Sequence, residues 1–123
     1  PKLPKQQAKE FHAFVAKGLF ACRRVCPDVH PTIAALCTRV KSPNKNDWDR
    51  LIRLIKFIDV TQKDKLILSA DDSNVAKWHV DCAFTVHPDF KSHTGGCMTH
   101  RQGTLISMSR KQKLNTKSST ESE

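Results

Sequence analysis

The chain has 123 residues and a hydrophobic content of 38%, enough for one ordinary domain with a modest core. No apolar run approaches the roughly 20 residues of a membrane-spanning helix, and residues 1–9 lack the apolar stretch of a secretion signal, so neither a membrane partner nor export is expected. The net charge of +9 points to a polyanion partner, and most of it lies early: residues 1–60 hold 12 Lys/Arg against 5 Asp/Glu, residues 61–123 hold 9 against 7.

From Gln7 to Cys22 the apolar positions Phe11, Phe14, Val15 and Leu19 follow helical spacing, with basic residues between them. A second helix is expected to start near Pro31, which suits a first helical turn, and to carry Ile33, Leu36, Cys37 and Val40 before Ser42-Pro43 stops it. Asn46-Asp47 reads as a capping signal for a third helix, about Trp48 to Ile58, with Trp48, Leu51, Leu54, Ile55 and Ile58 as its apolar stripe. The five cysteines are odd in number and scattered, which does not suggest a disulfide framework and makes a reducing, intracellular setting the expectation. Cys22, Cys26 and His30 are four apart and could share a helical face for a soft metal, but Pro27 and Pro31 interrupt such a helix. Cys22, Cys37 and Cys82 read better as buried thiols.

After Asp59 the period changes. Residues 65–69 form a short strand candidate, and Asp71-Asp72-Ser73-Asn74 is turn chemistry. Next, Trp78, Val80, Cys82, Phe84 and Val86 alternate strictly with Lys77, His79, Asp81, Ala83 and Thr85, so the two sets point to opposite sheet faces. Asp81 is thereby turned away from the apolar stripe. His79 shares its face, as a surface histidine or a group approaching phosphate. Trp48 and Trp78 lie in apolar stripes and read as core anchors rather than base-stacking platforms. Two more strands, 96–100 and 104–109, are joined by Arg101-Gln102-Gly103, with Gly95-Gly96 as a turn and strand entry. A basic segment follows, and Ser118-Ser119-Thr120-Glu121 has the hydroxyl-then-acid order of a helix start. The fold class expected is α+β: short helices, then an antiparallel meander.

An outward aspartate on a strand and acids at a later helix start can jointly hold a divalent cation, since Mg²⁺ prefers carboxylate oxygens and keeps positions for water and phosphate. Here the residues become familiar. Trp78-His79-Val80-Asp81-Cys82-Ala83-Phe84, His87-Pro88-Asp89, His93-Thr94-Gly95-Gly96, Ser109-Arg110-Lys111-Gln112-Lys113 and Ser118-Ser119-Thr120-Glu121-Ser122-Glu123 together resemble the RNase H region of Ty1/copia-type retrotransposon Pol polyproteins. The stretch before them, through Phe11-His12, Arg23-Arg24, Cys26-Pro27-Asp28, Thr38-Arg39-Val40 and Asp47-Trp48, is similar to the same polyproteins, so the resemblance runs from about residue 10 to the end.

The resemblance implies a fragment, as do Pro1 in place of methionine and a chain that stops at a helix start. Residues 1–62 would be the helical connection following a reverse transcriptase, and 63–123 the N-terminal half of an RNase H-like domain, a mixed sheet flanked by helices. It further implies an enzyme parent that hydrolyses RNA in RNA–DNA hybrids with Mg²⁺ or Mn²⁺, by two-metal-ion catalysis. On this reading Asp81 is the first catalytic metal ligand. Glu123 is the helix-borne one, because the family pattern places the ligand last in its block, leaving Glu121 to favour the helix dipole. Arg110, Lys111, Lys113 and Lys117 are expected along the nucleic-acid backbone, and the remainder of the Pol polyprotein is the other expected partner. Many family members carry Asp-Ala-Asp-Trp where this chain has Asp81-Cys82-Ala83-Phe84, so a second aspartate is missing. The remaining family acids would lie beyond Glu123. The alternative is a non-catalytic basic module, the remnant of a decayed element, that binds nucleic acid through charge.

Overall fold

The computed structural model describes residues 1–122 and divides the chain into two compact units, the first Pro1–Lys65 and the second from Leu66 on. The class is α+β, with helices preceding a three-stranded antiparallel sheet. No helix among the described residues is long and apolar enough to cross a membrane.

The first unit contains α1 (Lys5–Cys22), a 3-10 turn at Pro27–Val29, α2 (His30–Cys37) and α3 (Lys45–Thr61). Its core is made by side chains one or two turns apart: Phe11, Val15 and Cys22 from α1, Ile33 and Leu36 from α2, Leu51 and Leu54 from α3, closed by Val29. Each such fully buried side chain contributes about 1.5–3 kcal/mol against its exposed state. Trp48 packs partly buried against this cluster, whereas Phe14, on the expected stripe of α1, is exposed. α3 is longer than its apolar stripe suggested, because its cap is Asn44 rather than Asn46-Asp47. The Asn44 side chain accepts from the Asp47 amide at 2.9 Å, and the Asp47 carboxylate accepts from the Asn44 amide at 3.0 Å, a reciprocal capping box. Arg39 Nε lies 3.2 Å from the same carboxylate, tying the end of α2 to the start of α3.

The second unit contains β1 (Lys77–Ala83), β2 (His93–Thr99), β3 (Ile106–Lys111) and a single helical turn, α4 (Ser119–Ser122). The sheet order is β1-β2-β3, so β1 is an edge strand. Three sequence expectations need correction. Residues 65–69 do not form a strand; only Ser69 bridges, to Gln102. β1 ends at Ala83, short of Phe84 and Val86, because Thr85 adopts a φ of 50°, a left-handed conformation that breaks an extended run. β2 begins at His93, which places Gly95-Gly96 inside the strand instead of at a turn before it. Gly103, at a φ of 80°, does lie in the β2–β3 connection, where a Cβ would collide with the Ile67 carbonyl oxygen.

The register places Trp78, Met98 and Ile106 side by side, then Val80, Gly96 and Met108, on one sheet face. Trp78, Val80 and Ile106 are about half exposed, so Trp78 is not a core anchor, and every buried apolar side chain among the described residues belongs to the first unit. Gly96 allows that face to close up: a Cβ there would come within 2.9 Å of the Met108 methyl and 3.1 Å of the His79 carbonyl oxygen.

Candidate functional site

Asp81 lies in the second half of β1, on the face opposite Trp78 and Val80, as the alternation required. Directly across β2 is Gly95, and beyond that, on β3, Ser109. Gly95 has no side chain, and a Cβ built there would meet nothing closer than the Met108 carbonyl oxygen at 4.0 Å. An open groove of about 470 Å³ results, with His79, Asp81 and Cys97 along it. The Asp81 carboxylate is exposed; its Oδ1 accepts from the Cys82 amide at 2.8 Å, and no cation pairs with it among the described residues. The arrangement offers one exposed carboxylate with open space beside it.

One carboxylate does not make a metal centre. No group of three or more His, Cys, Asp or Glu side chains among the described residues is arranged to hold a metal, and Cys22, Cys26 and His30 form none. Of those cysteines only Cys22 is buried, while Cys37 and Cys82 are partly covered, and burial raises the Cys22, Cys26 and Cys37 thiols above their usual range. Glu123, the expected second ligand, lies outside the described residues. Glu121, its neighbour in the block, works as a cap: its amide donates to Ser118 Oγ at 3.2 Å and its carboxylate accepts from the Lys117 amide at 2.7 Å.

The basic residues separate. Arg110 belongs to the face of Val80 and Met108, whereas Lys111 is on the face of Asp81 and is engaged at 2.7 Å with Asp89. Lys113 and Lys117 are exposed in the segment after β3. The four expected contacts therefore do not form one patch on the sheet.

Two groups of residues around the site were not singled out from sequence. On the Asp81 face, His93 Nε2 lies 2.6 Å from Ser109 Oγ, and His93 Nδ1 lies 3.0 Å from His87 Nε2. Burial and the Lys111 charge lower the His87 pKa, outweighing the opposite pull of Asp89. The other group is a hydroxyl network around Ser92, which is fully buried. Ser92 Oγ lies 3.0 Å from Ser122 Oγ and 3.2 Å from Thr116 Oγ1, while Gln112 Nε2 donates to the Ser122 carbonyl at 2.7 Å and to Thr94 Oγ1 at 2.8 Å. These contacts hold α4 beside β1, where Cys82 Sγ approaches the Ser119 carbonyl at 3.9 Å. Nothing local in the sequence gave these partners of Gln112 and Ser122, which lie 10 to 30 residues away.

Comparison with protein-family models, curated proteins and solved structures gives no match.

Proposed function

We propose that the chain is a segment of a retrotransposon Pol polyprotein, the end of a reverse transcriptase followed by the front of an RNase H-like domain. In this reading the parent hydrolyses the RNA strand of RNA–DNA hybrids. The observation that carries it is Asp81: an exposed carboxylate on the polar face of β1, beside a gap left by Gly95, with the start of α4 packed against the same strand. β1 is also an edge strand, so a further parallel strand can add next to Asp81, as the mixed sheet of the family requires. The resemblance of the sequence blocks supplies the rest.

The role of Asp81 is to bind a divalent ion, joined by Glu123 and by acids later in the parent; the bound ions would supply an activated water and stabilise the leaving oxygen. The basic surplus of residues 1–60, with exposed Lys113 and Lys117, would attract the polyanion and make its binding salt-dependent.

The test uses a longer protein in which this segment is followed by the helix and later strands of the parent. Asp81→Asn keeps the side-chain shape and removes the charge that balances the ion. Metal-dependent cleavage of hybrid should fall on the order of a hundredfold or more, several kcal/mol of transition-state stabilisation. A folded variant cleaving at the unmutated rate would remove Asp81 from the mechanism. Salt-dependent binding without cleavage in either form would favour the non-catalytic module instead.

A further inference from the structure

A groove of about 660 Å³ in the first unit runs between α2 and α3. One wall is a helical stripe of α2, Thr32, Ala35 and Leu36, at spacings of three and four, continued by Arg39 in the turn that follows the helix. The other is the matching stripe of α3, Arg50, Arg53, Leu54 and Phe57. Leu36 and Leu54 form the floor from the edge of the core, and Phe57 remains about half exposed. Two helices presenting such stripes side by side make a trough whose natural filler is a third helix.

The charges on the walls select its character. Arg39 already spends its Nε on Asp47, but Arg50 and Arg53 have no ion-pair partner among the described residues. Asp28 is the only acid lining the groove. A nucleic-acid backbone would use the guanidinium groups and waste the apolar floor. A second copy of this chain, at +9, would bring like charge to the rim.

We propose that the α2–α3 groove docks an acidic amphipathic helix from a separate protein, its apolar stripe on Ala35, Leu36, Leu54 and Phe57 and its carboxylates on Arg50 and Arg53. This interaction is independent of the Asp81 site.

The probe is a fluorescein-labelled 18-residue peptide with leucine at helical stripe positions and glutamate flanking them, titrated against the 123-residue chain by anisotropy. A control peptide has the same composition with the leucines redistributed so that no stripe forms. The striped peptide should bind at least about tenfold more tightly than the control. Ala35→Trp, at an exposed position, should fill the trough and weaken binding about tenfold, as should Arg50→Glu with Arg53→Glu. Circular dichroism reports whether each variant is folded; should Ala35→Trp fail to fold, Phe57→Ala, on a half-exposed side chain, must weaken binding instead. Equal binding of both peptides, or indifference to the groove variants, overturns the proposal. So does an RNA–DNA duplex that loses affinity on Ala35→Trp as the striped peptide is expected to, since the groove would then take nucleic acid.

Discussion

Ser92 has no solvent exposure, and its hydroxyl lies within hydrogen-bonding distance of the Thr85 amide, Thr116 and Ser122. Ser92→Ala removes the shared member and leaves the others partly unsatisfied in a buried place, a loss of about 1–3 kcal/mol. Denaturant unfolding in a Trp48→Phe background, where fluorescence comes from Trp78 alone, should show it as an earlier midpoint for the second unit; an unshifted midpoint would mean that the network does not stabilise the sheet. At this scale Asp81 was legible because strand alternation assigns its face without knowledge of any partner. Gly95 was not, because its value lies in standing opposite Asp81, and that register depends on the irregular 84–92 connection, where Thr85 and Phe90 both have positive φ. Arg110 and Lys111 are adjacent in sequence and were expected along one backbone track, yet successive strand residues point to opposite faces. The strand expected from sequence stopped at 109, and only the structure, in which β3 runs Ile106–Lys111, brings both residues under that alternation.

Among the elements, α3 shows how a few side chains set a boundary. Asp47 is 2% exposed and takes part in both the capping box with Asn44 and the ion pair with Arg39. Asp47→Ala should cost about 1–3 kcal/mol, combining a lost cap with a lost charge-assisted bond, whereas Asp49→Ala, one residue-pair along on the exposed side, should cost little. Thermal unfolding of the two variants side by side checks this, and equal melting temperatures would show that the cap contributes nothing. The helices were largely visible in the sequence because their apolar residues recur at helical spacing, although α2 ends at Cys37, short of the stop expected at Ser42-Pro43. The cap itself was displaced by two residues, since Asn44 and Asn46 are chemically equivalent and only the chain's path past Pro43 decides which one meets Asp47. The strand expected at 65–69 failed for a related reason. Leu66, Ile67 and Leu68 have β-compatible side chains, but a strand exists only where a neighbour supplies its hydrogen bonds, and here Ser69 alone pairs.

For the molecule as a whole, acid should weaken both units. His30 is buried at the first residue of α2, and burial, followed by the nearby Arg23 charge, lowers its pKa. A histidine with a depressed folded pKa contributes stability that is present above the ordinary value of about 6.5 and is lost as pH falls through the folded value, because the unfolded chain takes up the proton first. His87 is shifted in the same direction in the second unit. Each unit carries one tryptophan, Trp48 and Trp78, so Trp78→Phe leaves fluorescence reporting on the first unit alone. Its melting temperature should drop between about pH 7 and pH 5, and His30→Gln should reduce that dependence; an unchanged slope would show that His30 does not govern it. Composition, period and turn chemistry determined the basic character, the helices-then-strands order and the facing of Asp81, because these depend on residues within one or two turns or a single strand. Tertiary structure alone decided where β1 stops, that it is an edge strand, that Gly95 opens a space beside Asp81, and that Ser92, Gln112 and Ser122 anchor α4. Those outcomes rest on pairings between residues 10 to 30 apart in the chain, and hydrogen bonds at such separation are chosen by which partners the folded backbone brings within reach.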